Sequence, residues 1–306
     1  MELEELLKNY NIPPIAFGPG IARSKNYKFV NRKQYHGISR IVHGIERRVD
    51  KYVTRKKYVD SVVSGFNVGY RLLDFATSYG DGSLIREAIE KSGIDRKQLF
   101  VTERIGNRSQ MDKTVRERFM RYLDTIGLDY VDLLQFHWPV TDCYLDTWRE
   151  MEKLYEEGYA KHLGVANCHQ HHLEEIFKIC KYPPEIGQFE VHPLFTQKPL
   201  IKYYQDHGII VEAYTPIARY DERLVRLPLL KKLEQKYNKT FAQIILRWHV
   251  QNHVIPVVRA MTYEHQVENF NIFDFELSEE DMAAIDSINI NSRLRYDPDN
   301  CDFNIL

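Results

Sequence analysis

"YVDLLQFH", residues 130–137, decides how the chain is read. The run is too short for a free-standing helix, and it is apolar on both parities apart from Asp132, Gln135 and the closing His137. A strand that is apolar on both sides is covered on both faces, as in a parallel sheet. Runs of the same kind recur down the chain: "YRLLDFA" (70–76), "LFVTERI" (99–105), "HLGVAN" (162–167), "IGQFEV" (186–191), "IIVEAYT" (209–215) and "VIPVV" (254–258). "PIAFGPG" (14–20) makes an eighth. Stretches of helical period lie between them, among them "GSLIREAIEKSG" (82–93), "TVRERFMRYLDTIG" (114–127) and "LDTWREMEKLYEEG" (145–158). Eight βα units on one chain predict an α/β fold of the (β/α)8 barrel type, one domain over 1–306. The runner-up is an open doubly wound sheet. No Gly-rich phosphate turn follows an early strand, which counts against its dinucleotide-binding form.

The 306 residues carry 42 Lys or Arg and 43 Asp or Glu, a net charge of −1. The balance is uneven. Residues 21–57 hold twelve basic and two acidic side chains, and the remainder is acidic. No apolar run is long enough to span a bilayer, and "MELEELLKNY" lacks the basic and apolar regions of a signal peptide. The four cysteines match no metal or disulfide framework. These features predict a cytoplasmic protein with no membrane or nucleic-acid partner, monomeric or weakly homo-oligomeric.

A barrel places its active site at the C-terminal ends of its strands. The polar residues ending these runs are Asp74 with Tyr79 just beyond, Glu103 and Arg104, His137, Asn167, Gln188 and Glu190, Tyr214 and Thr215, and Arg259. A strand-end Asp often only caps the next helix, and a lone His is more often a satisfied core residue. Together they suit one task. A phenol is a weak acid, with a reference pKa near 10. A neighbouring cation favours its ionised form. A carboxylate holds the cation, and a neutral His donates to a developing oxyanion. Such a set protonates a carbonyl oxygen while a cofactor delivers hydride to carbon.

Several of these segments resemble the aldo-keto reductase superfamily. "GYRLLDFATSYGD" (69–81) resembles its GYRhhDTAxxYGN, "YVDLLQFHWP" (130–139) its YhDLhLhHWP, and "HLGVANCHQHHLEE" (162–175) its IGVSNFxxxHLxE. "GQFEVHP" (187–193) resembles NQhExHP, "VEAYTPIA" (211–218) resembles AYSPLG, and "RYDPDNCDF" (295–303) resembles a tail of bacterial members. The resemblance implies NAD(P)H-dependent reduction of an aldehyde or ketone. It implies Tyr79 as general acid, His137 as carbonyl orienter, and Asp74 as ion-pair partner of the tetrad cation. The substrate would meet Trp138 and Glu103. Asn167 and Gln188 would hold the nicotinamide carboxamide, with Tyr214 and Thr215 beside it. Arg259, His265, Glu268 and Asn269 fall on the 2'-phosphate motif. NADP(H) is favoured over NAD(H), and an anionic or sugar-like carbonyl is the expected substrate.

The departures from the pattern are as informative. The tetrad Lys is Arg104, in "FVTERIG". Arg keeps the charge, but its fork is bulkier than an ammonium. A cofactor-binding barrel with little turnover and an epimerase-like enzyme without net redox therefore stay open as alternatives. The Ser before Asn167 is Ala166, and the KSxxxxR cations reduce to Arg259, with Ala260 and His265 in the other places. The loop from first strand to first helix is expected to run over 21–57, on the catalytic face, as a basic cover. "CHQHH" (168–172) looks like a metal cluster, but His172 falls where the family begins a helix, so no metal is expected.

Overall fold

The computed structural model describes residue 7 and residues 12–20, 38–76 and 82–305, with side chains from residue 52 onward in the first helix. Eight parallel strands close into a barrel in chain order. They are β1 (Ala16–Phe17), β2 (Leu72–Asp74), β3 (Phe100–Ile105), β4 (Val131–Phe136), β5 (Ala160–Ala166), β6 (Ile186–Glu190), β7 (Ile210–Tyr214) and β8 (Val254–Val258). β1 closes the ring, with Ala16 registered on Leu72 of β2 and on Val257 of β8.

The helices outside the barrel are α1 (Ile38–Val68), α2 (Ser83–Ser92), α3 (Asn107–Met111), α4 (Val115–Ile126), α5 (Tyr144–Glu156) and α6 (Gln170–Ile179). There follow α7 (Lys198–Asp206), α8 (Glu222–Val225), α9 (Pro228–Tyr237), α10 (Phe241–Gln251), α11 (Tyr263–Phe270) and α12 (Glu279–Asp286). Each long helix turns an apolar stripe inward. In α4 the stripe is Val115, Phe119, Tyr122, Leu123 and Ile126, the spacing of one helical face. Thr240 starts α10 with a capping box closed by Gln243. Gly93 and Gly127 end α2 and α4 in the left-handed conformation that glycine adopts without strain. No helix among the described residues is long and apolar enough to cross a membrane.

One expectation is corrected here. Residues 38–57, read as the second half of a basic loop, are the first five turns of α1, a helix of 31 residues. The reason is in the sequence. Ile38, Ile41, Val42, Ile45, Val49 and Val53 recur at helical spacing, and Lys and Arg between them are good helix formers. Residues 21–37, with the expected cover over the site, lie outside the described residues.

Strand parity divides the core in two. Phe100 of β3 joins Leu72, Leu133, Ile186, Ile210 and Ile255 inside the barrel. Val101 and Ile105 point the other way, into the larger core beneath the helices. Toward the C-terminal ends the lumen changes from that apolar tier to Asp74, Gln135, Gln188 and Glu212, each two residues further along its strand, and to Arg104, four residues beyond Phe100, all buried. At the opposite end of the barrel a cavity of about 830 Å³ lies between Ile12, Phe100, Val254 and Phe270. None of the candidate site residues lines it.

Candidate active site

The upper tier is built around Arg104. Register sets it level with Gln135 of β4, while Gln188 of β6 is level with Glu212 of β7. The guanidinium grips Asp74 with both terminal nitrogens: NH1 donates to Oδ1, and NH2 donates to Oδ2 at 2.8 Å. NH1 also donates to Gln188 Oε1 at 2.8 Å. The Gln188 amide then donates to Asp74 Oδ1 at 3.0 Å and to Glu212 Oε2 at 2.8 Å. Asp74, Arg104, Gln188 and Glu212 thus form one hydrogen-bonded network across the lumen. Bidentate pairing suits a planar fork and a carboxylate, and it fixes the cation more rigidly than an ammonium would be fixed.

The network is buried and charged, and this acts on Glu212. Burial and the nearby Asp74 charge push its carboxyl up to about 7, against the opposing help of Gln188 and Arg104. Its Oε1, the Thr102 hydroxyl and both polar atoms of Gln135 are buried without a hydrogen-bond partner among the described residues.

Above this tier stands His137, half-buried at the end of β4. Burial, then the charges of Arg104 and Arg295, lower it to about 3, so the imidazole is neutral at any ordinary pH. The Asn167 amide donates to the His137 carbonyl at 2.9 Å, and the Tyr214 hydroxyl donates to Asn167 Oδ1 at 2.6 Å. Asn167 and Thr215 both sit at positive φ, 60° and 50°. For a β-branched residue such as Thr215 this backbone is strained, and strain of this kind collects at functional sites. The Thr215 hydroxyl is also buried without a partner among the described residues.

The structure therefore brings together Asp74, Arg104, His137, Asn167, Gln188, Tyr214 and Thr215. Trp138 is buried beside His137, ring centroids 6.3 Å apart, and its carbonyl accepts from Gln110. Arg259 follows β8, and His265, Glu268 and Asn269 lie along α11. Arg259 lies over Gly20, where an added Cβ would meet its Nε at 2.9 Å. His265 Nδ1 is 3.1 Å from Glu268 Oε2, and Asn269 is buried.

Two expectations are changed and one cannot be placed. Glu103 does not join the lumen. Its parity is that of Val101 and Ile105, and its charge acts on the buried Tyr122 of α4. Gln188 has both amide protons committed inside the lumen, so a cofactor carboxamide can use only the remaining lone pair of Oε1. Tyr79 falls within 77–81, outside the described residues.

Sequence reasoning passed over Glu212 and Gln135. Both had a signal: each is a polar residue inside an otherwise apolar run, and Gln135 stands where the quoted motif has Leu. It also passed over the work of Glu190. This fully buried carboxylate accepts the Leu294 and Arg295 backbone N–H groups at 2.7 and 3.0 Å, and His192 Nε2 lies 2.9 Å from it. It thereby anchors the C-terminal tail, whose Arg295 charge reaches His137.

A family model described as the aldo/keto reductase family covers residues 40–290. The chain belongs to the aldo/keto reductase family. It is 39% identical over 240 residues to a glyoxal reductase of Bacillus subtilis, covering 78% of this chain and 86% of the relative. It superposes with a TM-score of 0.82 and 32% identity on an aldo-keto reductase from a Medee basin deep-sea metagenome library, covering 96% of this chain and 98% of the other. A Bombyx mori aldo-keto reductase in complex with NADP gives a TM-score of 0.77 at 28% identity, covering 94% and 92%. This family member is an NAD(P)H-dependent oxidoreductase that acts on small-molecule carbonyls.

Proposed function

We propose that this reductase converts an anionic or sugar-like aldehyde or ketone to the alcohol, using NADP(H) in preference to NAD(H), with Tyr79 as the proton donor. The observation that carries the reading is the Asp74–Arg104 pair held in the lumen beneath a neutral His137. The residues present suit a nicotinamide nucleotide. Tyr214 offers a half-buried ring, Asn167 an amide held between β4 and β7, and Thr215 a buried hydroxyl with no partner among the described residues. When bound, the cofactor supplies the hydride.

The chain's own residues do the rest. His137 donates from its neutral ring to the carbonyl oxygen and orients it. Tyr79 protonates that oxygen as charge develops there. Arg104, pinned by Asp74, lowers the cost of the resulting phenolate. Arg295, carried to the mouth by the anchored tail, favours substrates with a negative group. Arg259, His265, Glu268 and Asn269 bind the 2'-phosphate end. Its four free cysteines are in keeping with work in the reducing cytoplasm.

The test is Tyr79→Phe. It should lower kcat by about 10²–10⁴-fold and leave the affinity for NADPH unchanged, because the proton transfer is felt in the transition state. An unchanged kcat would transfer the chain to the cofactor-binding alternative. Arg259→Ala should weaken NADPH by about 10- to 100-fold, as expected for a lost charge-assisted contact, and leave NADH near its original affinity. Direct binding titrations with both nucleotides decide this.

A further inference from the structure

The "CHQHH" segment and the C-terminal tail, 130 residues apart, meet at the edge of the mouth. Asp299 of the tail stands among three imidazoles: His169 Nδ1 is 2.7 Å from Oδ2, and His171 Nε2 and His172 Nε2 are 3.1 and 3.4 Å from Oδ1. One ligand atom from each of the four residues lies within 4.8 Å of the others. We propose that His169, His171 and Asp299 form a binding site for a borderline divalent ion such as Zn²⁺ or Co²⁺, which fastens the tail to the loop after β5. Imidazole with one carboxylate is the donor set such ions take, and solvent would fill the remaining position.

The hydrogen bonds say which histidines can serve. The His169 backbone N–H donates to His172 Nδ1 at 3.1 Å, starting α6. His172 therefore carries its single proton on Nε2 and points it at Asp299. Its part is to hold the carboxylate, not to bind the ion. His169 Nε2 is 3.2 Å from Arg293 NH2, which can only donate, so its proton rests on Nδ1 facing Asp299. Ion binding at Nδ1 moves that proton to Nε2, and Arg293 turns toward Asp297, 3.9 Å away. His171 is exposed, and its proton moves to Nδ1 in solvent.

The sequence spacing could not show this. Within "CHQHH" the helix-starting role of His172 is correct, and the fourth group arrives from a distant segment.

The experiment uses the full chain, free of affinity tag and stripped with chelator, titrated with Zn²⁺ by calorimetry and with Co²⁺ by visible absorption. We expect one ion per chain and a Co²⁺ spectrum without a thiolate charge-transfer band. His171→Ala and Asp299→Asn should each weaken binding by at least about 10-fold. The ion should also raise the melting temperature of the parent chain and not of His171→Ala, whose turnover in the absence of metal should match the parent. Binding of equal affinity in both variants overturns the site. So does a thiolate band that vanishes in Cys301→Ser, or no binding by the parent chain.

Discussion

The two tiers of the barrel lumen share strands and side-chain parity, two to four residues apart, and they solve opposite problems. Leu72, Phe100, Leu133, Ile186, Ile210 and Ile255 fill the lower tier with side chains that need nothing but contact. Asp74, Arg104, Gln188 and Glu212 fill the upper tier with groups that are costly to bury and stay there only through one another. A βα barrel thus separates stability from chemistry along its axis. The polar tier is one cooperative unit, so removing a member strands the others.

The sharpest way to break the contrast is Arg104→Met. It removes the cation and leaves Asp74 buried and unpaired, which should cost about 3–5 kcal/mol of stability as well as nearly all turnover. Arg104→Lys should recover both in large part. Urea unfolding and carbonyl reduction, measured on the same samples, check this. Full turnover in Arg104→Met would remove the arginine from the mechanism.

Leu133→Ala probes the lower tier. It should destabilise the chain by about 2–5 kcal/mol through lost burial and a cavity. Below its melting temperature it should leave kcat near that of the parent. A large fall in kcat at constant stability would show the two tiers to be coupled.

The finest test is Glu212→Gln, which keeps the Gln188 contact and removes the proton. A carboxyl raised to about 7 holds more protons folded than unfolded between pH 4.5 and 7. Its contribution to stability is therefore fully present below about 4.5 and is lost as pH rises through 7. Stability of the parent should fall across that window, and its kcat/KM should show an inflection near 7. Both should flatten in Glu212→Gln. A profile identical to the parent's would place Glu212 outside the catalytic electrostatics.

The same contrast explains what was legible in the sequence. The strands could be read because burial on both faces leaves continuous apolar runs, and the barrel because eight of them alternate with helical stretches. Asp74, His137 and Asn167 could be read because strand ends mark the site. Glu103 could not be told from Arg104 by position alone, since adjacent residues on a strand face opposite ways and the register sets which faces in. The turns of α1 over 38–57 were hidden by twelve cations in 37 residues, which drew attention from the apolar spacing beneath them. Glu212 and Gln135 were overlooked as interruptions, although a polar side chain in a doubly covered strand must find a partner or carry a function.

The Glu190 anchor separates grip from charge. One carboxylate at the end of β6 grips backbone rather than side chains at Leu294 and Arg295, so the grip is indifferent to what those residues are. A change of side chain at Arg295 should therefore alter the charge that reaches His137 while this backbone grip holds.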